Sequence, residues 1–425
     1  MKKIAIVGGG ASGLLVALNL ARKSPENLHI TIVEPRNVLG EGIAYSTQDE
    51  GHVLNVPAGR MSAFMDQPEH FMQWMGCDKN TFAPRKVYAR YLQETLQSLD
   101  LSKIELRHLQ DNAISVAQEG AAWRVVAASG EELLVNAVVL AIGHGESFKA
   151  PGVEKVLTSK RYLTDPWRLT ASAVDGHLIG IGTGLTFIDH ALTHIRRNST
   201  NTVTGVSRNG LLPEAHLAHR ADPLEVPAIA RENPEEMRRF IEEADDWRAA
   251  QDGIRHQLPD IWNRWSDELK ARFLDHDLRW WNVHRHRLAP EIAEEVRRAI
   301  NSGRIRVVKS GVSGVKENDD GITVELSNGE SIEGVALVNC LGYRVAGKES
   351  LIETLIAGGI AQEGPLGLGV KTDYPRFNLL DGNGRPREDV FVIGPVLFGE
   401  RFETTAIPEL REQADLIAGQ LLEIV

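Results

Sequence analysis

Two hydrophobic patterns alternate along this chain: unbroken apolar runs that stop at glycine, and apolar positions three or four residues apart. Residues 3–7 (KIAIV) are of the first kind and predict a buried strand. Gly8, Gly10 and Gly13 follow at once, and Leu14, Leu15, Leu18 and Ala21 then recur on one helix face. A second run, His29 to Val33, ends in Glu34. The same order opens again at residues 178–189, LIGIGTGLTFID. Gly182 and Gly184 break that run, and a helix pattern starts at Leu185 and Thr186. The strand after it, Thr202 to Val206, ends in Ser207 and Arg208.

Behind each strand–glycine–helix head lies an alternating stretch of the antiparallel kind, at 104–145 and at 304–326. Each closes on a related segment. Residues 131–144, EELLVNAVVLAIGH, are echoed by residues 330–343, ESIEGVALVNCLGY, at a constant offset of 199 from Glu131 to Glu330. Ala137 matches Ala336, Val139 matches Val338 and Gly143 matches Gly342. Two copies of one plan predict two domains of one kind.

Between Leu212 and Gly303 the pattern turns to amphipathic helices that carry five of the eight tryptophans. Trp262, Trp265, Trp280 and Trp281 read as the core of this segment and not as a cofactor cage. The segment interrupts the second copy. The expected fold is therefore α/β: two Rossmann-like three-layer domains, the second inserted in the first, with a helical insertion. The division is 1–155 and 346–425 for the first domain, 156–211 and 303–345 for the second, and 212–302 for the insertion.

Composition narrows the function. The chain has 425 residues, 42% hydrophobic and 25% charged, as expected for two or three globular domains. A formal net charge of −11 argues against nucleic-acid and anionic membrane partners. Cys77 and Cys340 are the only cysteines, so neither a disulfide framework nor a C-x-x-C redox pair is expected. Glycines interrupt the apolar start, unlike a signal peptide, and no run is long enough to span a membrane. A reduced, cytoplasmic protein is expected. His216 and His219 lack a third ligand and His284 and His286 would diverge on a helix, so no metal site is expected.

The two turns carry the chemistry. Gly8 permits a tight turn, Gly10 lets backbone approach a pyrophosphate, and Gly13 lets helix pack on strand. The helix start, with Ala11 and Ser12, presents unpaired N–H groups and roughly half a positive charge. Glu34 would accept from a ribose diol. In the second turn the third position is Phe187, which predicts a looser helix–strand approach. Arg208 replaces the acid there. It is either a solvated surface arginine or a partner for a 2′-phosphate, and the latter favours NADPH over NADH. The long loop after Glu34, followed by the meander, resembles the FAD domain of flavoproteins with two dinucleotide domains.

Further motifs carry a wider resemblance: Gly42-Ile43-Ala44-Tyr45, Leu54-Asn55-Val56-Pro57-Ala58-Gly59-Arg60-Met61, Asp165-Pro166-Trp167, Ser207 to Pro213, Arg285-His286-Arg287 and Thr405 to Ala414. Across essentially its whole length the chain resembles a bacterial FAD–NAD(P)-binding oxidoreductase family that includes a flavin-dependent urate hydroxylase. It is distantly similar to N-hydroxylating and flavin-containing monooxygenases. The resemblance implies FAD and NADPH as cofactors. It points to Ala44, Tyr45, Leu54, Asn55, Val56, Gly143, Gly394, Thr404 and Thr405 around the flavin, with a helix starting near Thr404. Asn55 is the candidate hydrogen-bonding group beside flavin N5. Arg285, His286 and Arg287 form the one basic spot beside aromatics, either ion pairs on a helix surface or a seat for an anionic group. The implied activity takes hydride from NADPH and, with molecular oxygen, hydroxylates a small molecule, an anionic one if the basic spot is its seat. A reductase with another acceptor and a non-catalytic flavin sensor are the alternatives, and the oligomeric state is left open.

Overall fold

The run from Ile4 to Val7 is buried on both faces, which places its strand in the middle of a sheet covered from two sides. The computed structural model describes residues 1–163, 175–217, 221–345 and 350–424. Its strands are β1 (Lys2–Val7), β2 (Leu28–Val33), β3 (Ile104–Leu109), β4 (Ala113–Glu119), β5 (Ala122–Ala127), β6 (Glu132–Val135), β7 (Ala137–Leu140), β8 (Tyr162–Leu163), β9 (His177–Ile181), β10 (Thr202–Ser207), β11 (Ile305–Lys309), β12 (Val312–Glu317), β13 (Ile322–Leu326), β14 (Ser331–Gly334), β15 (Ala336–Asn339), β16 (Thr372–Asp373), β17 (Asn378–Leu380) and β18 (Pro386–Val392). The helices are α1 (Ala11–Lys23), α2 (His70–Met75), α3 (Arg85–Ser98), α4 (Leu185–Arg197), α5 (Pro234–Glu242), α6 (Trp247–Arg264), α7 (Asp267–Arg272), α8 (Leu278–Arg285), α9 (Pro290–Asn301), α10 (Leu351–Ala357) and α11 (Ile407–Ile424).

Seven strands form the first sheet in the order β16-β17-β18-β7-β1-β2-β3, with β18, β7, β1, β2 and β3 parallel. The second sheet is parallel throughout, in the order β11-β10-β9-β15-β8. Each has its own antiparallel meander, β4-β5-β6 and β12-β13-β14. The repeat in the sequence is thus a repeat in space. Around the second sheet, Val315, Ile322 and Val324 of the meander pack on Ile179 and Ile181 from one side. Ile188, Ala191 and Leu192 of α4 pack from the other, which makes three layers.

The two segments that follow Gly143 and Gly342 run antiparallel to each other. Phe148 N–H donates to the Gly342 carbonyl (2.9 Å), Gly145 N–H to that of Arg344 (2.9 Å), and Arg344 N–H to that of Glu146 (2.8 Å). His144 and Tyr343, equivalent positions of the two copies, stack with ring centroids 5.7 Å apart. A side contact ties the layers further. His52 Nε2 lies 2.9 Å from Thr193 Oγ1 of α4, and Arg85 pairs with Asp189 at 3.3 Å.

The helical insertion has a core of its own, built from Met237, Ile254, Leu258, Trp262, Trp265 and Trp281. Trp262, Trp265 and Trp281 are core, as expected, and Trp280 is half-buried against that core. Trp262 also stacks on Phe402 (5.0 Å, 28°) and donates from Nε1 to the Gly399 carbonyl (2.8 Å), which seats the insertion on the closing segment. Two boundaries differ from the sequence reading. Helix α9 falls within the expected insertion, yet Val296 and Ala299 pack in the core of the second sheet. The last helix begins at Ile407, not near Thr404, because Glu403 and Thr404 are held by tertiary partners described below. Among the described residues no helix is long and apolar enough to cross a membrane.

Candidate functional site

The first turn is a cradle that only glycine allows. Gly8 has φ +102°, and a Cβ there would lie 2.2 Å from the Ala141 carbonyl oxygen. A Cβ on Gly13 would lie 2.0 Å from the Gly8 oxygen. The strand end, the turn and β7 are therefore in backbone contact. Gly10 is different: a Cβ there would meet only Gly42, with its Cα at 3.3 Å, so the Gly42–Tyr45 loop closes over this position. Helix α1 starts at Gly10 without a side-chain cap, which leaves its first N–H groups for a ligand. Buried Glu34 accepts from Gly9 N–H (2.8 Å) and Arg36 N–H (3.1 Å), and these bonds fix its carboxylate at the end of β2. Gly8, Gly10, Ala11, Ser12, Gly13 and Glu34 thus fit the diphosphate and ribose of a dinucleotide.

The other residues expected around the flavin lie on four further segments. Tyr45 packs on Tyr88 with ring centroids 4.9 Å apart and planes tilted by 52°, and burial pushes its phenol well above the usual tyrosine range. Ala44 is exposed, Leu54 and Val56 are buried, and Asn55 between them is half-buried. Gly143 keeps a positive φ of +79°, as does its equivalent Gly342 at +81°. Gly394, φ +87°, lies so close that a Cβ would be 3.1 Å from Ser12 Oγ. A closed ring of hydrogen bonds holds it. Gly394 N–H donates to Gln413 Oε1 (3.0 Å), Gln413 Nε2 to Thr404 Oγ1 (3.0 Å), and Thr404 Oγ1 to the Gly394 carbonyl (3.1 Å). Gln413 belongs to the Thr405–Ala414 motif but is not singled out by the sequence; its i-to-i+9 relation to Thr404 crosses a turn and leaves no periodic signal. Thr405 is half-buried beside the ring.

The second turn repeats the first. Gly182 has φ +96°, and a Cβ there would lie 2.3 Å from the Cys340 oxygen, the counterpart of Ala141. Gly184 is exposed with open space around it, and α4 starts there, at Leu185 and Thr186, without a side-chain cap. Phe187 does not hold helix and strand apart as expected. Cβ atoms on Gly180 of β9 and Gly205 of β10 would each fall 2.6 Å from its ring, so two strand glycines make the room that Gly13 makes in the first copy. Ser207 Oγ is engaged by Thr183 Oγ1 (2.8 Å) and Gly210 N–H (3.1 Å), which shapes the turn. Arg208, next along, is exposed. Its charge, after burial, helps to depress the pKa of Arg279 in α8, so two cations share this corner.

A cavity of about 210 Å³ lies between the 55–60 loop and the helical insertion, with Asn55, Phe82, His216, Arg255, Arg285 and Arg287 in its wall. Of the four residues that the sequence offers for the reacting end, Asn55, Arg285, His286 and Arg287, three are thereby brought together. His216 Nε2 bonds the Asn55 carbonyl (3.0 Å) and its ring packs on Phe82 at 5.2 Å. The arginines are not surface ion pairs. Arg285 is bidentate to Glu403 (2.9 and 3.1 Å), Arg287 binds Asp252 (3.2 and 3.4 Å), and Arg255 pairs with Glu409. His286, the fourth candidate, is outside the lining residues. Burial and the Arg285 guanidinium hold its imidazole neutral, with a pKa lowered to about 4. It adds no cation at neutral pH. Arg255 escaped the sequence reading, although Asp252 and Arg255 stand three apart on one helix face. The Asp165-Pro166-Trp167 motif and His219 lie outside the described residues. No group of three metal-binding side chains occurs among the described residues.

Known proteins can now be set beside this geometry. Residues 5–145 match the FAD-NAD(P)-binding family model. No curated relative matches the chain in sequence. Its shape is similar to many solved structures, among them three hydroxylases or monooxygenases by name. The Kutzneria sp. 744 ornithine N-hydroxylase has a TM-score of 0.67 at 13% identity, over 98% of each chain. The reduced ornithine hydroxylase of Pseudomonas aeruginosa has 0.64 at 15%, over 100% of this chain and 99% of that one. The L-lysine 6-monooxygenase of Pseudomonas syringae has 0.64 at 15%, with the same coverage. The family match thus falls on the part of the chain that holds the first turn, and the fold held in common with these structures extends over its whole length.

Proposed function

We propose that this protein is an FAD-dependent oxidoreductase that takes hydride from NADPH and acts as a monooxygenase on a small molecule. The overall change would be substrate, O2, NADPH and a proton to hydroxylated substrate, water and NADP+. One observation carries the reading. The cavity that admits a small molecule has Asn55 in its wall together with Arg285, whose partner Glu403 stands next to Thr404, the residue bonded to Gly394 against Ser12 of the first dinucleotide turn. The fold held in common with ornithine and lysine hydroxylases, whose Kutzneria member was solved with reduced FAD, NADP+ and L-ornithine, supports it.

FAD, when bound, would accept hydride and activate oxygen. The chain's own part is placement. The first turn and Glu34 would hold the adenosine and diphosphate, and the Gly394–Thr404–Gln413 ring would fix backbone groups near the flavin end. The second turn with Arg208 would bring NADPH to the same cleft. Neutral Asn55 would present its amide to the reacting end while the apolar Leu54 and Val56 on either side exclude water.

Purified protein should carry about one releasable FAD per chain and be reduced faster by NADPH than by NADH. A screen of small molecules should find compounds that raise NADPH oxidation and gain one oxygen by mass. Hydrogen peroxide as the sole product across the panel would overturn the oxygenase reading, and protein without flavin would overturn the reading as a whole.

A further inference from the structure

The geometry points to a substrate class: a small molecule with acceptor oxygens, a carboxylate or a pair of carbonyls, held by Arg255 and Arg285 in the cavity beside Asn55. This rests on the oxidoreductase reading above and names what the same site takes. A guanidinium has five N–H donors in one plane. Arg285 uses Nε and Nη2 on Glu403, and Arg255 uses Nη2 on Glu409. Neither has a hydrogen bond from Nη1 among the described residues, and both groups line the cavity. Both residues are more than nine-tenths buried, at 7% and 6% exposure, so their open edges face a confined space and not bulk solvent.

Arg287 shows the contrast. It bonds the carbonyls of His284 and Arg248 as well as Asp252, and so is tied into the wall. Two arginines with open edges beside one fully engaged make a donor-rich face. Each is already balanced by an acid, so a full negative charge on the ligand is not required; acceptor oxygens are. A ligand ammonium would meet the guanidinium edges, and the acid in the wall without an ion pair among the described residues, Glu291, is exposed. The volume, that of about seven liquid waters, suits a compact molecule, and Phe82 adds an apolar surface for a flat one.

Calorimetry on the purified flavoprotein tests this with benzoate, oxalate and succinimide against benzylamine. At least one acceptor probe should bind, with benzylamine at least tenfold weaker. Arg255→Lys keeps a cation for Glu409 but removes the spare edge, and should weaken that probe about ten- to a hundredfold, as expected for one charge-assisted hydrogen bond. Leu217→Trp, at an exposed position of the same wall, should block the cavity without disturbing a buried ion pair, which covers the case of an Arg255 variant that does not fold. Equal binding of benzylamine, or acceptor affinity unchanged in both variants, overturns the assignment. Acceptor ligands that bind and respond as stated, yet are never oxygenated, would leave this site standing and remove the monooxygenase reading. Oxygenation of amines alone would do the reverse.

Discussion

The ring of Phe187 fills the space that a side chain on Gly180 would need: a Cβ there would lie 2.6 Å from Phe187 Cδ2. Helix α4 therefore reaches the second sheet over a glycine floor, and the phenyl ring, 1% exposed, is the contact. Forcing a methyl into so filled a place costs about 1–3 kcal/mol. Gly180→Ala should destabilise the protein by that amount. Phe187→Leu gives the neighbour room, so the double variant should be less unstable than the two single changes added together, by more than about 0.5 kcal/mol. Denaturant melts of the four proteins measure the coupling; strict additivity would show that the ring and the glycine are independent.

The first turn separates two jobs that glycine does there. At Gly13 a methyl group would strike the Gly8 oxygen, whereas at Gly10 it would face only Gly42. Gly13→Ala should lose the fold. Gly10→Val should keep native secondary structure and lose the yellow colour, because the branched side chain stands where a diphosphate would approach. Circular dichroism and the flavin band near 450 nm distinguish the outcomes. A folded Gly10→Val protein with full flavin would place the cofactor elsewhere.

How much of this was legible in the sequence depends on where the partners lie along the chain. The first turn was legible because strand, glycines, helix and Glu34 follow one another within a few dozen residues. The meanders were legible because alternation survives in short strands. Arg285 and Arg287 read as a basic spot, but the role of Arg285 does not, since its partner Glu403 lies 118 residues away; Arg255, 154 residues from its partner Glu409, gives no signal of that pairing. Phe187 misled for a related reason. The size of a residue at the third glycine position says nothing of the compensation, which sits in Gly180 and Gly205 on two strands. The start of the last helix was displaced because Thr404, a good capping residue by type, is committed to Gly394.

Arg208 gives a test of cofactor choice that is independent of folding. It is exposed at the end of β10, so its removal should not disturb the core. One charge-assisted contact to a phosphate is worth about 1.5–3 kcal/mol, a ten- to hundredfold change in affinity. Arg208→Ala should raise the KM for NADPH by that factor and leave the KM for NADH as it was. Equal losses for both would assign Arg208 to structure, and no loss for either would make it a solvated surface residue.

His286 supplies the pH dependence. Burial, then the adjacent Arg285 and Arg255 guanidiniums, disfavour its charged form, and Glu403 opposes them without reversing the outcome, which leaves a folded pKa of about 4. The unfolded chain titrates near the ordinary histidine value of about 6.5. Between these values the unfolded state holds the extra proton, so stability rises with pH across the window and falls as the medium is acidified. The stabilising effect is complete above pH 6.5 and is lost progressively toward pH 4. One proton sets a slope of up to about 1.4 kcal/mol per pH unit. His190, lowered to about 3 by burial and then by His52, acts in the same direction and remains in the variant as a constant background. His286→Gln should therefore flatten, without abolishing, the loss of stability between pH 6.5 and 4, and should leave stability unchanged in slope above pH 7. Denaturant midpoints at pH 7.5, 6 and 5 read the effect. Parallel curves for the two proteins would mean that His286 takes up its proton as readily in the folded state as in the unfolded one, despite the neighbouring Arg285 guanidinium.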